Sequence, residues 1–318
     1  MDDKKWIEEY VHLLFPVNGS DINISCAQAL KKSHTPTKLY KYRTFSPHSL
    51  DALKNSDLFV SKAANLNDPF ECAVNVSSDE YFFESLKKQV CKAYKEKHCF
   101  SQEELEFLAS APQHDFFDFI ESRSAAFSNQ KGLLEKFTLA VMKDNHETMN
   151  RKISQANLNN ILICALSESN DNSLMWSHYA NEHKGFCVEY NFAIFNPAPH
   201  PSWYLLNPVI YQNHIPDFSK YYCNHDNFNN LIATYAAMVK SESWAYEKEW
   251  RLILPWGETA GKGMLIKAPE PTAIFVGCRA DEKDIFSLKE IAKSKNIPIY
   301  QMKPKNNSFL LYPHKIDE

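Results

Sequence analysis

Between residues 79 and 150 the apolar side chains recur three and four positions apart, and no strand-like run interrupts them. Phe82, Leu86, Val90, Ala93 and Tyr94 open the series; Leu105, Leu108, Phe116, Phe119, Ile120, Leu133, Phe137, Val141 and Met142 continue it. That spacing lays an apolar stripe along a helix, so the segment reads as three or four helices in a row. The rest of the chain behaves differently. Short apolar or alternating runs at 39–43, 58–61, 161–166, 185–190, 208–211, 249–254, 273–276, 297–301 and 308–312 read as strands. Helical spacing returns at 5–15, 22–32, 47–55, 171–180, 226–240 and 281–294. Strands and helices are not in strict alternation, which favours an α+β fold with a mixed or antiparallel sheet over a doubly wound one. The economical architecture is an N-terminal helical extension over 1–35 and a single α+β domain over 36–318. That domain carries a helical insertion at about 79–155, suited to a cap or an oligomer surface.

Composition narrows the function classes. The 318 residues carry 35 Lys and Arg against 39 Asp and Glu, a net charge of -4, which argues against a long electrostatic footprint on duplex nucleic acid. Only 7 glycines are present, and neither a P-loop nor a G-x-G-x-x-G run occurs. None of the eight cysteines forms a C-x-x-C pair. They read as buried free thiols in a reducing compartment. Cys91, His98 and Cys99 lack a second ligand pair, so no metal is expected. The first residues lack the apolar core of a signal peptide and no run of eighteen apolar residues occurs. The expectation is a cytoplasmic chain with no membrane partner.

Three motifs carry polar chemistry. In Leu39-Tyr40-Lys41-Tyr42-Arg43, Lys41 and Arg43 lie two apart and so share one face of a strand. Such a pair suits an anion or phosphate grip, or equally a solvated strand face with ion pairs. The second motif is Trp176-Ser177-His178-Tyr179, a helical turn dense in aromatic groups. Trp176 and Tyr179 share a helix face and form, with His178, either a stacking wall for a planar ring or core packing. In the third, Glu247 and Glu249 flank Lys248 and stand between Trp244 and Trp250. Two neighbouring carboxylates raise each other's pKa unless a cation separates them. They suit sugar hydroxyls, a developing positive charge or a metal, or else an ion-pair ladder with Lys248 and Arg251. The turn Asn67-Asp68-Pro69-Phe70-Glu71 offers oxygen ligands, or is a rigid turn whose Asx side chains bond their own backbone.

Taken in order, Leu39–Arg43, Leu66-Asn67-Asp68-Pro69-Phe70-Glu71, Leu174–Ala180 with Lys184–Tyr190, Trp244–Arg251 and the run 274–277 resemble the bacterial domain-of-unknown-function 2971 family, over roughly 38–312. The family name implies no activity. A weaker resemblance, in the order of elements, is to ADP-ribosyltransferase folds. It implies NAD as substrate, gripped by Arg43 or Lys41 with Tyr42, Trp176, Ser177 and His178 around it. Tyr179 would stack on the nicotinamide, and Glu249 with Glu247 would be the catalytic carboxylates, the triplet Glu247-Lys248-Glu249 matching the E-x-E pattern. The chain departs from that pattern in having no His on the first strand and no Ser-Thr-Ser element.

The expectation that follows is an NAD-using ADP-ribosyltransferase or NAD glycohydrolase. The resemblance implies a toxin or phage-defence setting, an acceptor that is protein, nucleic acid or water, and room for an oligomer. The alternatives are a non-catalytic nucleotide- or phosphate-sensing module, and a metal-dependent nuclease built on Asp68, Glu71, Glu247 and Glu249.

Overall fold

The computed structural model describes residues 3–76, 79–96, 100–123, 132–222, 227–255 and 261–316. Two helices lead, α1 (Asp3–Leu14) and α2 (Ile24–His34), followed by β1 (Leu39–Arg43), α3 (Pro47–Lys54) and β2 (Asp57–Lys62). Next come the four helices α4 (Asp79–Glu96), α5 (Gln102–Ser110), α6 (Gln113–Ser122) and α7 (Leu133–Asn160). The chain continues through β3 (Ile161–Ser167), α8 (Ser173–Tyr179), β4 (Phe186–Tyr190), β5 (Leu206–Pro208), β6 (Ile210–Gln212), α9 (Ser219–Tyr222), α10 (Ile232–Met238) and β7 (Val239–Ser241). It closes with β8 (Glu249–Pro255), β9 (Gly263–Lys267), β10 (Pro271–Val276), α11 (Glu282–Lys295), β11 (Ile299–Pro304) and β12 (Leu311–Lys315).

This is an α+β fold. The main sheet has ten strands in the order β12-β11-β10-β4-β1-β3-β2-β9, with β8 on the other edge of β3 and β5 beyond β8. Every pairing in it is antiparallel except β10 with β11. The sheet forks at β3. One edge of β3 meets β1 at Ser167 and β2 at Leu162 and Ile163, and the other runs beside β8 for its whole length. Where β1 and β2 diverge, the Ala165 carbonyl is left without a ladder partner, and the Lys41 ammonium donates to it at 2.9 Å.

Alternation along β3 and β8 separates two cores. Leu162, Cys164 and Leu166 face Leu254, Leu252 and Trp250, and pack on α3 and α11 through Leu53, Leu288 and Ile291. The opposite face carries Ile161, Ile163 and Ile253 against α1, α2 and α10. Each such side chain removed from water contributes about 1.5–3 kcal/mol. On this second face the next pairs along the ladder are Ala165 with Arg251 and Ser167 with Glu249. The apolar core therefore runs straight into charged residues.

The helical region has its own core of Phe83, Leu108, Ala111, Phe116 and Phe117. A capping box at Ser101 and Glu104 starts α5. The buried Glu121 carboxylate accepts from the Gly132 and Leu134 amides, capping α7 with a negative charge at its N-terminus. The helices end at Asn160, not 155. Other bounds shift as well. The helix expected over 171–180 is α8, Ser173–Tyr179 with Asn172 as its cap, and the one expected over 226–240 spans Ile232–Met238. The run at 208–211 is split between β5 and β6, and β9 was not foreseen. β9 is an edge strand with Gly263 in it, and its unbroken run of Met264, Leu265 and Ile266 hides the alternation by which Met264 and Ile266 pack on the core.

Candidate functional site

The site is assembled from four elements, the first two contiguous in sequence and the others far from them. The first is the turn after α10. Residues 242–247 wind as a 3-10 helix and Lys248 takes a left-handed conformation (φ 45°), after which β8 begins at Glu249. The third motif is therefore a turn and a strand, not one continuous strand. Glu247 and Glu249 nevertheless converge, because the buried Lys240 ammonium from β7 lies between them. It bonds Glu247 Oε2 and, at 2.8 Å, Glu249 Oε2.

The second stretch is β8 itself. The Arg251 guanidinium is fully buried. Its Nε donates to Glu249 Oε1 at 2.8 Å, its Nη2 to Glu71 Oε2 at 3.0 Å and its Nη1 to the Ala237 carbonyl at 2.6 Å, with a second bond from Nη1 to Glu71 Oε1. Glu71 ends the third stretch, the Asn67–Glu71 turn, in which Asp68 Oδ1 accepts from the Phe70 amide as an Asx turn does. The fourth is α8, whose Tyr179 hydroxyl donates to Glu247 Oε1 at 2.7 Å and accepts from Asn67 Nδ2 at 3.4 Å. Ser167 donates to the Glu247 carbonyl at 2.6 Å, and the Tyr211 hydroxyl accepts from the Glu249 amide at 2.8 Å.

The cluster holds three carboxylates and two cations. Buried charges must be paired, so with all five ionised one negative charge is in excess. The environments decide where it falls. Burial works against ionisation of Glu249, but the Arg251 and Lys240 charges outweigh it and hold the carboxyl at about 2. Burial raises Glu247 above the ordinary carboxylate value, with only Lys240 and the Tyr179 hydroxyl to offset it. Burial raises Glu71 as well, so the proton falls on Glu247 or Glu71 rather than on Glu249. Burial also raises the Tyr179 phenol, aided by its bond to Glu247.

These groups border one cavity of about 80 Å³, lined also by Tyr40, Lys41, Tyr42, Leu66, Asn67 and Met175. Of the residues singled out in the sequence, Glu247, Glu249, Tyr179, Lys41 and Tyr42 meet there. Arg43, Trp176, Ser177 and His178 do not. Arg43 Nη2 donates to the Asp57 carbonyl at 3.1 Å, on the side of the sheet away from Tyr40 and Tyr42. Trp176 is fully buried, edge-on to Tyr42 at 5.3 Å, with its indole N–H on the Asn170 carbonyl. Ser177 and His178 are exposed on the outer side of α8. Lys240 and Ser167 carried no signal in the sequence, since neither lies in a recognisable motif. A count of charges would have asked for Lys240, because two carboxylates this close require a cation.

A metal would have to sit where Lys240 and Arg251 already do. Among the described residues no group of three or more His, Cys, Asp or Glu is arranged to hold one. His98 and Cys99 lie outside the described residues. Among those residues, too, no helix is long and apolar enough to cross a membrane.

Backbone constraints fix the path from α8 into β4. Asn181, Glu182 and His183 all have positive φ (46°, 53° and 68°), turning the chain sharply from α8 into β4. A Cβ on Gly185 would lie 2.2 Å from the Arg43 carbonyl, so only glycine lets β4 approach β1 there.

A family model described as "Protein of unknown function (DUF2971)" matches residues 175–252. Over that segment the chain is similar to the DUF2971 family. The match begins within α8 and ends in β8, so it contains Tyr179, Lys240, Glu247, Glu249 and Arg251, while β1 and Glu71 lie outside it. It is narrower than the 38–312 over which the sequence resembles the family. No curated protein and no solved structure matches the chain.

Proposed function

We propose that this protein is an NAD-using ADP-ribosyltransferase or NAD glycohydrolase. The observation that carries the reading is a pair of carboxylates with opposite proton affinity on one cavity, the pattern that assigns acid, base and electrostatic roles in an active site. Glu249, held ionised by Arg251 and Lys240, faces the ribose as positive charge develops on it. The bond between ribose C1′ and the pyridinium nitrogen breaks, the electron pair leaves with neutral nicotinamide, and the acceptor oxygen or nitrogen attacks C1′. The acceptor's proton passes to Glu247, the carboxylate whose pKa is raised, with the Tyr179 hydroxyl orienting it. Lys41 and Tyr42 border the same space and supply a cation and a ring. The toxin or phage-defence setting belongs to this proposal as well.

A volume of about 80 Å³ holds two or three waters, at about 30 Å³ each. Entry of a ribosyl-pyridinium therefore requires the cavity to open. The second reading, a nucleotide- or phosphate-sensing module, is favoured by one specific observation. Both Glu249 oxygens are already bonded to Arg251 and Lys240.

The test is NAD loss and nicotinamide release by purified protein, with a cell lysate as acceptor source, with and without chelator. The expected result is release that survives chelator and falls about 10²–10³-fold in Glu249→Gln. Folded wild type that binds a nucleotide and leaves it intact would replace the enzyme reading with the sensing one.

A further inference from the structure

Two features outside the carboxylate cavity have no role in the proposed chemistry, though the second shares Glu249 with it. One is the tip of the β11–β12 hairpin. Phe309 is fully exposed (102%) and Leu310 is 48% exposed, and the loop that presents them is closed by the Lys305 amide on the Leu310 carbonyl at 3.0 Å. Residues 303–316 carry Lys303, Lys305, His314 and Lys315 and no acidic residue, in a chain of net charge -4. Among the described residues none of these three lysines makes an ion pair.

The other is a groove of about 940 Å³ on the reverse side of the Lys248 turn. Its walls are Ile7, Val11, Tyr211, Tyr235 and the stacked rings of Trp6 and Trp250, 5.9 Å apart. Glu8 and Glu168 stand on its lining against the single lysine Lys248, with His34 stacked on Trp6 at 4.5 Å. The groove is apolar with an acidic excess; the tip is apolar with a basic collar. They lie at opposite ends of the sheet, the tip beyond β12 and the groove against β5 and β8. One molecule therefore does not join them to each other.

We propose that the Phe309–Leu310 tip of one copy of this chain seats in the groove behind β8 of a second copy. Edge-to-edge strand pairing is not the route, because Pro313 removes a donor from β12 and Lys315 adds a charge to that edge. The two surfaces differ, so the contact is heterologous: each copy offers one tip and one groove, and association closes as a ring or a reciprocal pair, or runs on as a filament. Large exposed apolar side chains of this kind mark such contacts, and a central aromatic anchor carries most of their energy.

The test is the oligomeric state of the full chain by sedimentation velocity. Phe309→Glu places a negative charge in the tip, with Leu310→Asp as a second tip variant. Ile7→Arg blocks the groove at a half-buried residue, and thermal melting shows which variants stay folded. The expected result is a self-associating wild type whose dissociation constant rises at least about 30-fold in each variant. A mixture of Phe309→Glu with Ile7→Arg should then form a pair and stop there, since only one intact tip and one intact groove remain. A wild type that stays monomeric, or tip variants that associate as tightly as wild type, would overturn the proposal. So would monomeric wild type that sediments with phosphatidylserine vesicles through Phe309, which would give the tip to a lipid surface.

Discussion

Strand β8 has two sides that solve opposite problems. Glu249 and Arg251 point into a closed space with Glu71, Lys240 and Glu247, where every charge needs a partner because water is excluded. One residue along, Trp250 faces the aromatic groove, its indole N–H held by the Glu168 carboxylate at 2.6 Å and its ring beside Trp6. The first side gains specificity from charge and loses adaptability, since removing any one member strands another in a medium of low dielectric. The second side is adaptable, since ring contacts degrade gradually when altered. A site for chemistry belongs on the first side and a site for docking on the second.

Arg251→Ala breaks this comparison hardest. It strands Glu71 and Glu249 without their shared cation, and the expected loss is about 3–5 kcal/mol in urea denaturation, enough to unfold a marginal protein. Loss below about 1 kcal/mol would mean that water reaches the cluster and that it is not closed.

Next comes acid. Glu249 is held at about 2, below the value near 4.3 of an unfolded Glu. The unfolded chain then binds more protons than the folded one between those values. The stabilisation is present above about pH 4.3 and is lost as the pH falls towards about 2, amounting to about 3 kcal/mol for this group. Glu249→Gln should flatten the fall of melting temperature across that window. Glu247 has the opposite sign. Its pKa is raised, so its contribution is present below the unfolded value and lost as pH rises through the folded one. Relative to wild type, Glu247→Gln should therefore gain melting temperature as the pH rises through the folded pKa, and a difference that stays flat with pH would show that burial does not raise Glu247.

Tyr179→Phe removes one buried hydrogen bond, for an expected cost of about 1 kcal/mol. It should also move Glu247 further up, visible by infrared as a carboxyl still protonated at higher pH than in wild type. The smallest effect is expected on the groove side. His34→Ala takes one ring from the Trp6 stack and should cost about 0.5 kcal/mol, with a shift in tryptophan fluorescence as its readout.

Much of the frame was legible before any coordinates. Ser46 and Pro47 announced α3, and the Ser46 hydroxyl accepts from the Ser49 amide as an N-cap does. The three-and-four spacing after residue 79 marked the helical region, and the alternating runs marked strands, because burial imposes a period on any element that covers a core. β9 was not legible, since Met264, Leu265 and Ile266 form an unbroken apolar run, and only the fold puts Met264 and Ile266 on the core and leaves Leu265 exposed. The split of 208–211 into β5 and β6 was hidden too, because strand partners there are decided by residues 29 to 46 positions away.

The site shows the same division. The sequence by itself determined that acidic, basic and aromatic side chains gather at 39–43, 174–190 and 244–251, and that Glu247 and Glu249 stand close enough to need a cation. Only the tertiary structure decided which cation. Lys240 reaches both from β7, and Arg251 joins Glu249 to Glu71 across 180 residues. It likewise decided that Lys41 lines the cavity while Arg43, two residues on, bonds the Asp57 carbonyl elsewhere. Period and composition are local properties, carried by neighbours along the chain. Charge pairing in a buried space depends on three-dimensional distance, and that exists only once the sheet has closed around Arg251.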